Sequence, residues 1–143
     1  NFAKPGYYSR HNYNYWQMRE YLGLGPSAHS FQPPVRSWNK KSLHAYLSLP
    51  NAEDILEEEH LQPEELFNDY MITALRTNQG IDFAYVEHYF GTKFLKYLKN
   101  YLARTNFRSG LIQLTINGFH LTEQGFLFSD SIFEDLLMIK DEL

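Results

Sequence analysis

Apolar residues recur at helical spacing after Pro63 and predict the first long helix of the chain. Proline suits the first turn of a helix, where its missing N–H group would have had no partner. The apolar positions lie three and four residues apart and form one stripe, which predicts a face packed on a core. The stripe consists of Leu66, Phe67, Tyr70, Met71, Ala74 and Leu75. Gly80 is predicted to end this helix, as C-terminal glycines commonly do.

Two further helices are predicted to follow. Asp82 is a suitable N-cap for the second, because its side-chain oxygen can accept a hydrogen bond from the free N–H groups of the first turn. Gly91 is predicted to stop this helix, and Thr92 to cap the third. The apolar positions are Phe83, Val86 and Phe90 in the second helix, and Phe94, Leu95, Leu98, Tyr101 and Leu102 in the third.

Between Ile112 and Ile116 the pattern changes to strict alternation of apolar and polar residues, which predicts a strand. Asn117-Gly118 then predicts a two-residue hairpin turn, because both residues tolerate positive φ. Phe119 and Leu121 would lie on the return strand. The sequence therefore predicts a two-stranded antiparallel hairpin, or wing.

The first 62 residues show no long helical pattern. Ala28–Phe31 and Val35–Trp38 are predicted as two short strands joined through Pro33-Pro34. A short helix is predicted over Ser42–Leu49, with Ser42 as its N-cap. The acidic stretch at residues 50–62 has few apolar positions, which favours a linker or an exposed helix.

Thr122 is predicted to cap one closing helix. Its apolar positions are Phe126, Ile132, Phe133, Leu136 and Leu137. The whole pattern predicts an α+β chain that is mostly helical. Residues 1–50 would be a β-containing piece of a larger domain, residues 51–62 an acidic linker, and residues 63–143 a winged-helix-like domain.

Composition limits the chemistry that the chain can perform. Hydrophobic residues make up 43% of the 143 residues and aromatic residues 17%, which is enough for a packed core. No apolar run approaches the ~20 residues needed to span a bilayer, and no signal peptide is recognisable, so a cytoplasmic location is expected. The chain has no cysteine, which excludes disulfides, thiolate catalysis and a cysteine-ligated cluster within it. No set of catalytic residues is recognisable.

The net charge of −4 conceals an uneven distribution. Residues 51–70 carry acidic side chains without lysine or arginine, whereas residues 92–118 carry basic side chains without an acid. Lys93, Lys96 and Lys99 recur along one edge of the third helix, and such a helix beside a wing can bind DNA. Charge blocks more often mark solvated faces. The overall acidity also disfavours nucleic-acid binding, which stays an alternative.

Several segments together resemble one protein family, and they occur in that family's order. The opening NFAKPGYYSRHNYNYW contains an HNxxYW motif at His11, Asn12, Tyr15 and Trp16. The glycine-rich segment is YLGLGPSAHS, and the two later ones are MITALRTNQGID and LTEQGFLFSDSIFEDLL. These segments resemble the C-terminal part of the HemN/HemW family, the radical S-adenosylmethionine proteins that include oxygen-independent coproporphyrinogen III oxidase-like members.

The resemblance implies that the chain is a piece of a longer protein, and its start at Asn1 within a loop-like NFAKPG run agrees with this expectation. Residues 1–50 would then be the remnant of a radical-SAM barrel domain. The missing upstream part would hold a [4Fe–4S] cluster and S-adenosylmethionine, so the parent would be a radical-SAM oxidoreductase or carry a vestige of that chemistry. The piece alone would be non-catalytic.

The intact HNxxYW motif resembles the haem-chaperone branch of the family, in which the motif is associated with haem. The resemblance therefore implies that His11, Asn12, Tyr15 and Trp16 bind haem, with His11 on the iron. A neutral imidazole suits that role, and nearby aromatic rings can pack on a porphyrin. The alternative is a structural histidine beside core aromatics. Expected partners are haem, the upstream domain and a client protein.

The resemblance also places Gly23, Gly25 and His29 near the cofactor face of the barrel. Glycines allow close approach of a backbone to a cofactor, although an ordinary tight turn would use the same residues. Two further functions stay open: part of a genuine coproporphyrinogen III oxidase in porphyrin biosynthesis, and a winged-helix module that binds nucleic acid or protein.

Overall fold

The structure is a computed structural model and describes residues 3–4, 6–48, 54–104 and 110–138. Within these ranges helices and short strands alternate. The helices are α1 (Arg10–Trp16), α2 (Leu43–Ser48), α3 (Pro63–Ala74), α4 (Phe83–Phe90), α5 (Thr92–Arg104), α6 (Glu123–Phe126) and α7 (Ser129–Leu136). The strands are β1 (His29–Gln32), β2 (Val35–Asn39), β3 (Leu56–His60), β4 (Ile81–Asp82), β5 (Ile112–Leu114) and β6 (Gly118–Leu121).

The predicted mixed α and β class is confirmed, with small sheets and a large helical part. The finer assignments to a winged helix and to a barrel remnant stay predictions. The expected loop at residues 1–6 lies partly outside the described residues. Residues 49–53, where the first predicted segment ends and the acidic linker begins, and residues 139–143, the end of the last predicted domain, lie outside them entirely. Among the described residues, no helix combines the length and apolar character needed to cross a bilayer.

The first sheet is antiparallel, with the strand order β1-β2-β3. The predicted strands β1 and β2 are confirmed, and their register places His29 opposite Trp38. The predicted N-cap of α2 is confirmed as well, since the Ser42 hydroxyl accepts a hydrogen bond from the Ala45 N–H at 3.1 Å. Helix α1 was not predicted, because seven residues are too few to show a helical apolar period.

Strand β3 corrects the prediction of an acidic linker or exposed helix at this place. It pairs with β2 along five residues, with Arg36 opposite Glu59 and Trp38 opposite Glu57. The Trp38 Nε1–H donates to the Glu57 carboxylate at 2.7 Å, and Arg36 forms an ion pair with Glu59 at 3.5 Å. Pairing with an existing strand edge therefore orders a segment whose own sequence lacks a strand pattern.

Helix α3 begins at Pro63 as predicted but ends at Ala74, before the predicted stop at Gly80. The side chain of Thr77 explains the early end. Its hydroxyl donates to the Ala74 carbonyl at 2.8 Å and accepts from the Gly80 N–H at 3.3 Å. A hydroxyl that binds backbone groups in this way competes with the helical hydrogen bonds.

Asp82 caps α4 as predicted, accepting from the Tyr85 N–H at 2.9 Å, and α5 begins at Thr92. Residues Ile81 and Asp82 also form the short strand β4, which the sequence did not reveal. Strand β4 pairs with β6, so the predicted hairpin becomes a three-stranded sheet in the order β4-β6-β5.

The predicted hairpin of β5 and β6 is confirmed, but its turn lies one residue earlier than predicted. The Thr115 N–H donates to the Gly118 carbonyl at 2.8 Å, which places Ile116 and Asn117 at the centre of the turn. Neither Asn117 nor Gly118 has positive φ. Gly118 is needed for close approach instead, because a Cβ there would lie 1.8 Å from the Ile81 carbonyl oxygen.

The closing helix is divided in two, which corrects the prediction of one continuous helix. Thr122 does cap its start, accepting from the Gly125 N–H at 3.0 Å. The chain then breaks at the exposed residues Leu127 and Phe128 before α7 begins. The break reorients the chain so that the apolar face of α7 reaches the core.

The hydrophobic core lies in the second half of the chain, between the helices and the second sheet. Its largest fully buried side chains are Phe67, Phe119, Met71, Leu75, Ile81, Leu98, Ile132, Leu136 and Val86. The apolar stripes predicted for α3, α4 and α5 supply most of this set. From the first 60 residues, Met18 packs against the core cluster as a partly buried side chain.

Candidate functional site

Helix α1 carries four of the predicted site residues within seven positions. The Ser9 hydroxyl caps its start by accepting from the Asn12 N–H at 3.4 Å, and the helix ends at Trp16. His11 and Tyr15 are one turn apart, so their side chains can lie on the same face. The HNxxYW motif is therefore presented by a short helix rather than by a loop.

His11 is exposed, and its ring contacts the edge of a neighbouring aromatic ring. The centroids of His11 and Tyr15 are 4.9 Å apart, with planes at 86°. Tyr15 in turn contacts Tyr21 at 4.6 Å, and Tyr21 contacts Phe31 of β1 at 6.1 Å. A line of rings thus connects the imidazole to the first sheet and leaves the imidazole accessible to a ligand.

Trp16 has different neighbours. Its ring centroid lies 6.0 Å from the Arg76 guanidinium, and the side chain lines a cleft between α1 and the second half of the chain. Among the described residues, those lining the cleft include Tyr13 and Trp16 but neither His11 nor Tyr15. The residues of the motif therefore lie in two different surroundings. The imidazole of His11 is exposed, whereas the indole of Trp16 lies in the cleft.

The cleft has a volume of about 1570 Å³, which exceeds the roughly 300–1,000 Å³ of ordinary ligand pockets. It is open rather than enclosed. Its aromatic lining includes Tyr13, Trp16, Tyr70, Tyr85, Tyr89 and Phe90. Tyr70, Tyr85 and Tyr89 also stack on one another, with successive centroids 4.7 Å and 4.3 Å apart.

The glycine-rich segment is bound tightly to its own surroundings. The Gly23 N–H donates to the Ser30 hydroxyl at 2.9 Å, and the Gly25 N–H donates to the Tyr46 hydroxyl at 3.1 Å. The Asn39 side chain donates to the Gly25 carbonyl at 2.8 Å. A Cβ at Gly23 would lie 2.2 Å from the carbonyl oxygen of His29, so close backbone approach explains that glycine.

His29 lies at the start of β1, where its side chain is exposed. Its ring centroid is 5.9 Å from that of Trp38 on the adjacent strand. Both side chains line a small surface hollow together with Glu57. The two predicted groups therefore have different neighbours: His11 contacts Tyr15, whereas His29 contacts Trp38.

The sequence did not reveal the polar link between the first sheet and α3. Arg36 of β2 forms an ion pair and a hydrogen bond with Asp69 of α3, in addition to its ion pair with Glu59. Burial raises the pKa of Asp69, and the neighbouring Arg36 partly counteracts that rise. Arg36 and Asp69 are 33 positions apart, and neither lies in a recognisable motif.

Tyr70 is the most strongly perturbed tyrosine of the cleft. Burial raises its pKa to about 12, and a hydrogen bond from the Asp82 N–H to its hydroxyl acts in the opposite direction. Burial also raises the pKa of Tyr85. Both phenols are therefore neutral at physiological pH and can serve the cleft as hydrogen-bonding groups.

Replacement of Tyr70 by phenylalanine should make stability less sensitive to alkaline pH. Since the folded pKa of about 12 exceeds the unfolded value, the neutral phenol stabilises the fold fully below pH ~10, and up to about 2–3 kcal/mol is lost as the pH rises toward 12. At pH 8 we expect Tyr70→Phe to cost about 1 kcal/mol, through the lost acceptor for Asp82. Urea unfolding of both proteins between pH 8 and 11.5 measures this.

Tyr7→Phe is the matched control, because Tyr7 is 80% exposed. It should follow the unchanged chain at every pH. A constant difference between Tyr70→Phe and the unchanged chain across the alkaline range would contradict the assigned pKa shift.

The basic helix α5 presents Lys93, Lys96 and Lys99 at its surface. The Lys99 ammonium lies 5.4 Å from the centroid of the Phe83 ring. The acidic strand β3 contacts Trp38 through Glu57 and Arg36 through Glu59. Within the described ranges, no cluster of three or more His, Cys, Asp or Glu side chains could hold a metal ion.

Comparison with known proteins identifies relatives along most of the chain. Residues 61–128 match the HemN C-terminal domain family. The chain is 28% identical to the heme chaperone HemW of Lactococcus lactis over 138 residues, which are 96% of this chain and 36% of that protein. It is 27% identical to the heme chaperone HemW of Bacillus subtilis over 135 residues, which are 93% of this chain and 35% of that protein.

The fold resembles that of coproporphyrinogen III oxidase (HemN) from Escherichia coli, a radical SAM enzyme. The TM-score is 0.62 at 22% identity, and the likeness covers 84% of this chain and 29% of that structure. The chain thus spans about a third of the length of the proteins that it matches.

Proposed function

The chain belongs to the HemN/HemW family, and from this membership we propose that it is the C-terminal part of a longer protein that binds and delivers haem. Haem is the cargo in this proposal, and this part of the protein is not catalytic by itself. The observation that carries the proposal is the exposed imidazole of His11 within an HNxxYW motif, in a chain whose relatives named heme chaperone match over most of its length.

His11 has the properties that an axial haem ligand requires. A histidine imidazole binds haem iron through a ring nitrogen, and the side chain of His11 is exposed. The Tyr15 ring lies edge-on to the imidazole at 4.9 Å and restricts its position. We assign the iron contact to His11, and supporting contacts to Asn12, Tyr15 and Trp16 of the same helix.

Gly23, Gly25 and His29 are assigned to a loop near the cofactor face of the barrel. The amides of both glycines are engaged within the fold, so their contribution would be the shape of the loop. His29 would offer an accessible side chain at the start of β1. In this proposal residues 1–50 complete a barrel domain supplied upstream, and residues 63–143 form the winged-helix-like accessory domain.

The upstream domain would supply the [4Fe–4S] cluster and S-adenosylmethionine, because this chain has no cysteine to bind a cluster. Of the two branches of the family, we favour the haem chaperone over the coproporphyrinogen III oxidase. The intact HNxxYW motif and the relatives named heme chaperone support this choice. The proposed setting is the cytoplasm, with a client protein that receives the haem.

A haem titration followed by the Soret band tests the iron ligand. The unchanged chain should give a saturable, shifted band. His11→Ala should weaken binding at least about tenfold, since the loss of a metal–ligand bond exceeds the 1.4 kcal/mol that a tenfold change represents. His44→Ala is the matched control, because His44 is another exposed histidine on a short helix, and it should bind as the unchanged chain does.

Equal affinities of His11→Ala and the unchanged chain would show that His11 is not the ligand. Absence of any saturable Soret shift in the unchanged chain would contradict haem binding by this part of the protein. Loss of binding in both histidine variants would indicate general damage instead of a specific ligand.

A further inference from the structure

Arg76 lies just after α3 and contacts two aromatic rings from distant parts of the chain. Its guanidinium carbon is 6.0 Å from the centroid of Trp16 at the end of α1, and 5.5 Å from the centroid of Phe133 in α7. Phe133 is buried in the core, whereas Trp16 lines the cleft. One cation therefore connects the motif helix to the folded core.

Helix α1 needs such external contacts. Isolated helices shorter than about 12–15 residues are marginal in water, and α1 has seven residues. Trp16 at its C-terminal end contacts Arg76, and Met18, two residues further on, packs against the core. His11 lies near the opposite end, so its position depends on how that C-terminal end is held.

We propose that Arg76 is a positioning residue for His11, which it orients by holding Trp16, and with it α1, against the core. A guanidinium suits this task because its flat, delocalised cation can stack on aromatic rings. Within the described residues, the Arg76 guanidinium lies near these two rings and forms no ion pair. Only the haem measurement below depends on the proposed function.

Trp16 itself reports whether Arg76 holds it. The chain has two tryptophans. In a Trp38→Phe variant, all tryptophan emission therefore comes from Trp16. In this background, Arg76→Ala should shift the emission to longer wavelength and increase quenching by acrylamide. Arg19→Ala is the matched control, because Arg19 is an exposed arginine three residues after the end of α1, and it should leave both quantities unchanged.

The consequence for His11 can be measured with and without haem. The NMR signals of the His11 ring, assigned by comparison with His11→Ala, should shift in Arg76→Ala and remain in place in Arg19→Ala. The haem dissociation constant should rise about two- to fivefold in Arg76→Ala, as expected for loss of one exposed cation–π contact. Arg76→Lys should restore part of the loss.

Unchanged Trp16 emission and unchanged His11 signals in a folded Arg76→Ala protein would overturn the proposal. A loss of overall stability that moves all histidine signals together would also overturn it, because Arg76 would then be a general structural residue. If the unchanged chain fails to bind haem, the proposed function fails, while the fluorescence and NMR results still decide whether Arg76 positions α1.

Discussion

Phe67→Ala is expected to lower the free energy of unfolding by about 3–5 kcal/mol, which is the range for removal of a fully buried aromatic ring. Phe67 is 0% exposed. Its ring lies among three other aromatic rings, Phe90, Phe94 and Tyr97, at centroid distances of 5.5, 5.0 and 6.4 Å. Alanine would leave a cavity where α3, α4 and α5 meet, and these helices cannot all close around it.

Urea unfolding followed by circular dichroism measures this effect. Ile116→Ala is the matched control, because Ile116 is 99% exposed at the hairpin turn and should change stability by less than about 0.5 kcal/mol. A loss below about 1 kcal/mol for Phe67→Ala would show that this junction is not the centre of the core.

Gly118→Ala should be the second severe substitution, lowering the free energy of unfolding by about 3 kcal/mol or more. A Cβ at this position would lie 1.8 Å from the Ile81 carbonyl oxygen and 3.3 Å from the Asp82 Cα. Both neighbours are backbone atoms of β4, which cannot move without breaking the pairing of β4 with β6. The sheet would have to separate at the place where Asp82 caps α4, so the damage should extend to that helix.

Gly91→Ala separates this steric effect from the conformational freedom of glycine. Gly91 has φ of +93°, but a Cβ there would meet nothing within 4 Å. Its replacement should therefore cost only the ~1–3 kcal/mol of a strained backbone. Thermal unfolding of the two variants compares the effects directly. Equal losses would mean that the close approach of β4 and β6 is not what makes Gly118 necessary.

The elements that were predicted correctly are marked by residues within or next to the element itself. Proline at residue 63, aspartate at residue 82 and threonine at residue 122 each mark a helix start through their own backbone or side-chain chemistry. The alternation after Ile112 likewise predicted a strand, which the structure has at Ile112–Leu114, although its apolar residue Leu114 is exposed. Such signals need no knowledge of distant residues, so they could be interpreted directly.

The elements that were missed depend on distant partners. Strand β3 exists because β2 offers an edge, and β4 exists because Gly118 allows close approach. The break after α6 depends on where the core lies, since Leu127 is 80% exposed while Ile132 is fully buried. Local propensity cannot reveal these features, because tertiary contacts decide between the alternatives.

The sequence named candidate site residues, which stay a prediction, but it did not reveal how they are arranged. The HNxxYW motif predicted that His11 and Trp16 belong to one binding site, whereas the structure gives them different surroundings. The contacts of Arg36 with Asp69 and of Arg76 with Trp16 join residues that are far apart in sequence. No spacing rule covers such pairs, so three-dimensional structure was needed to find them.

Strand β3 lies at an edge of the first sheet, and its run of negative charges affects how two copies of the chain can associate. An open edge can pair with the edge of another molecule and start aggregation. Glu57, Glu58 and Glu59 follow one another along this edge. Like charges opposite each other destabilise strand pairing, so two copies approaching through β3 repel each other, and the sheet is discouraged from growing beyond its own molecule.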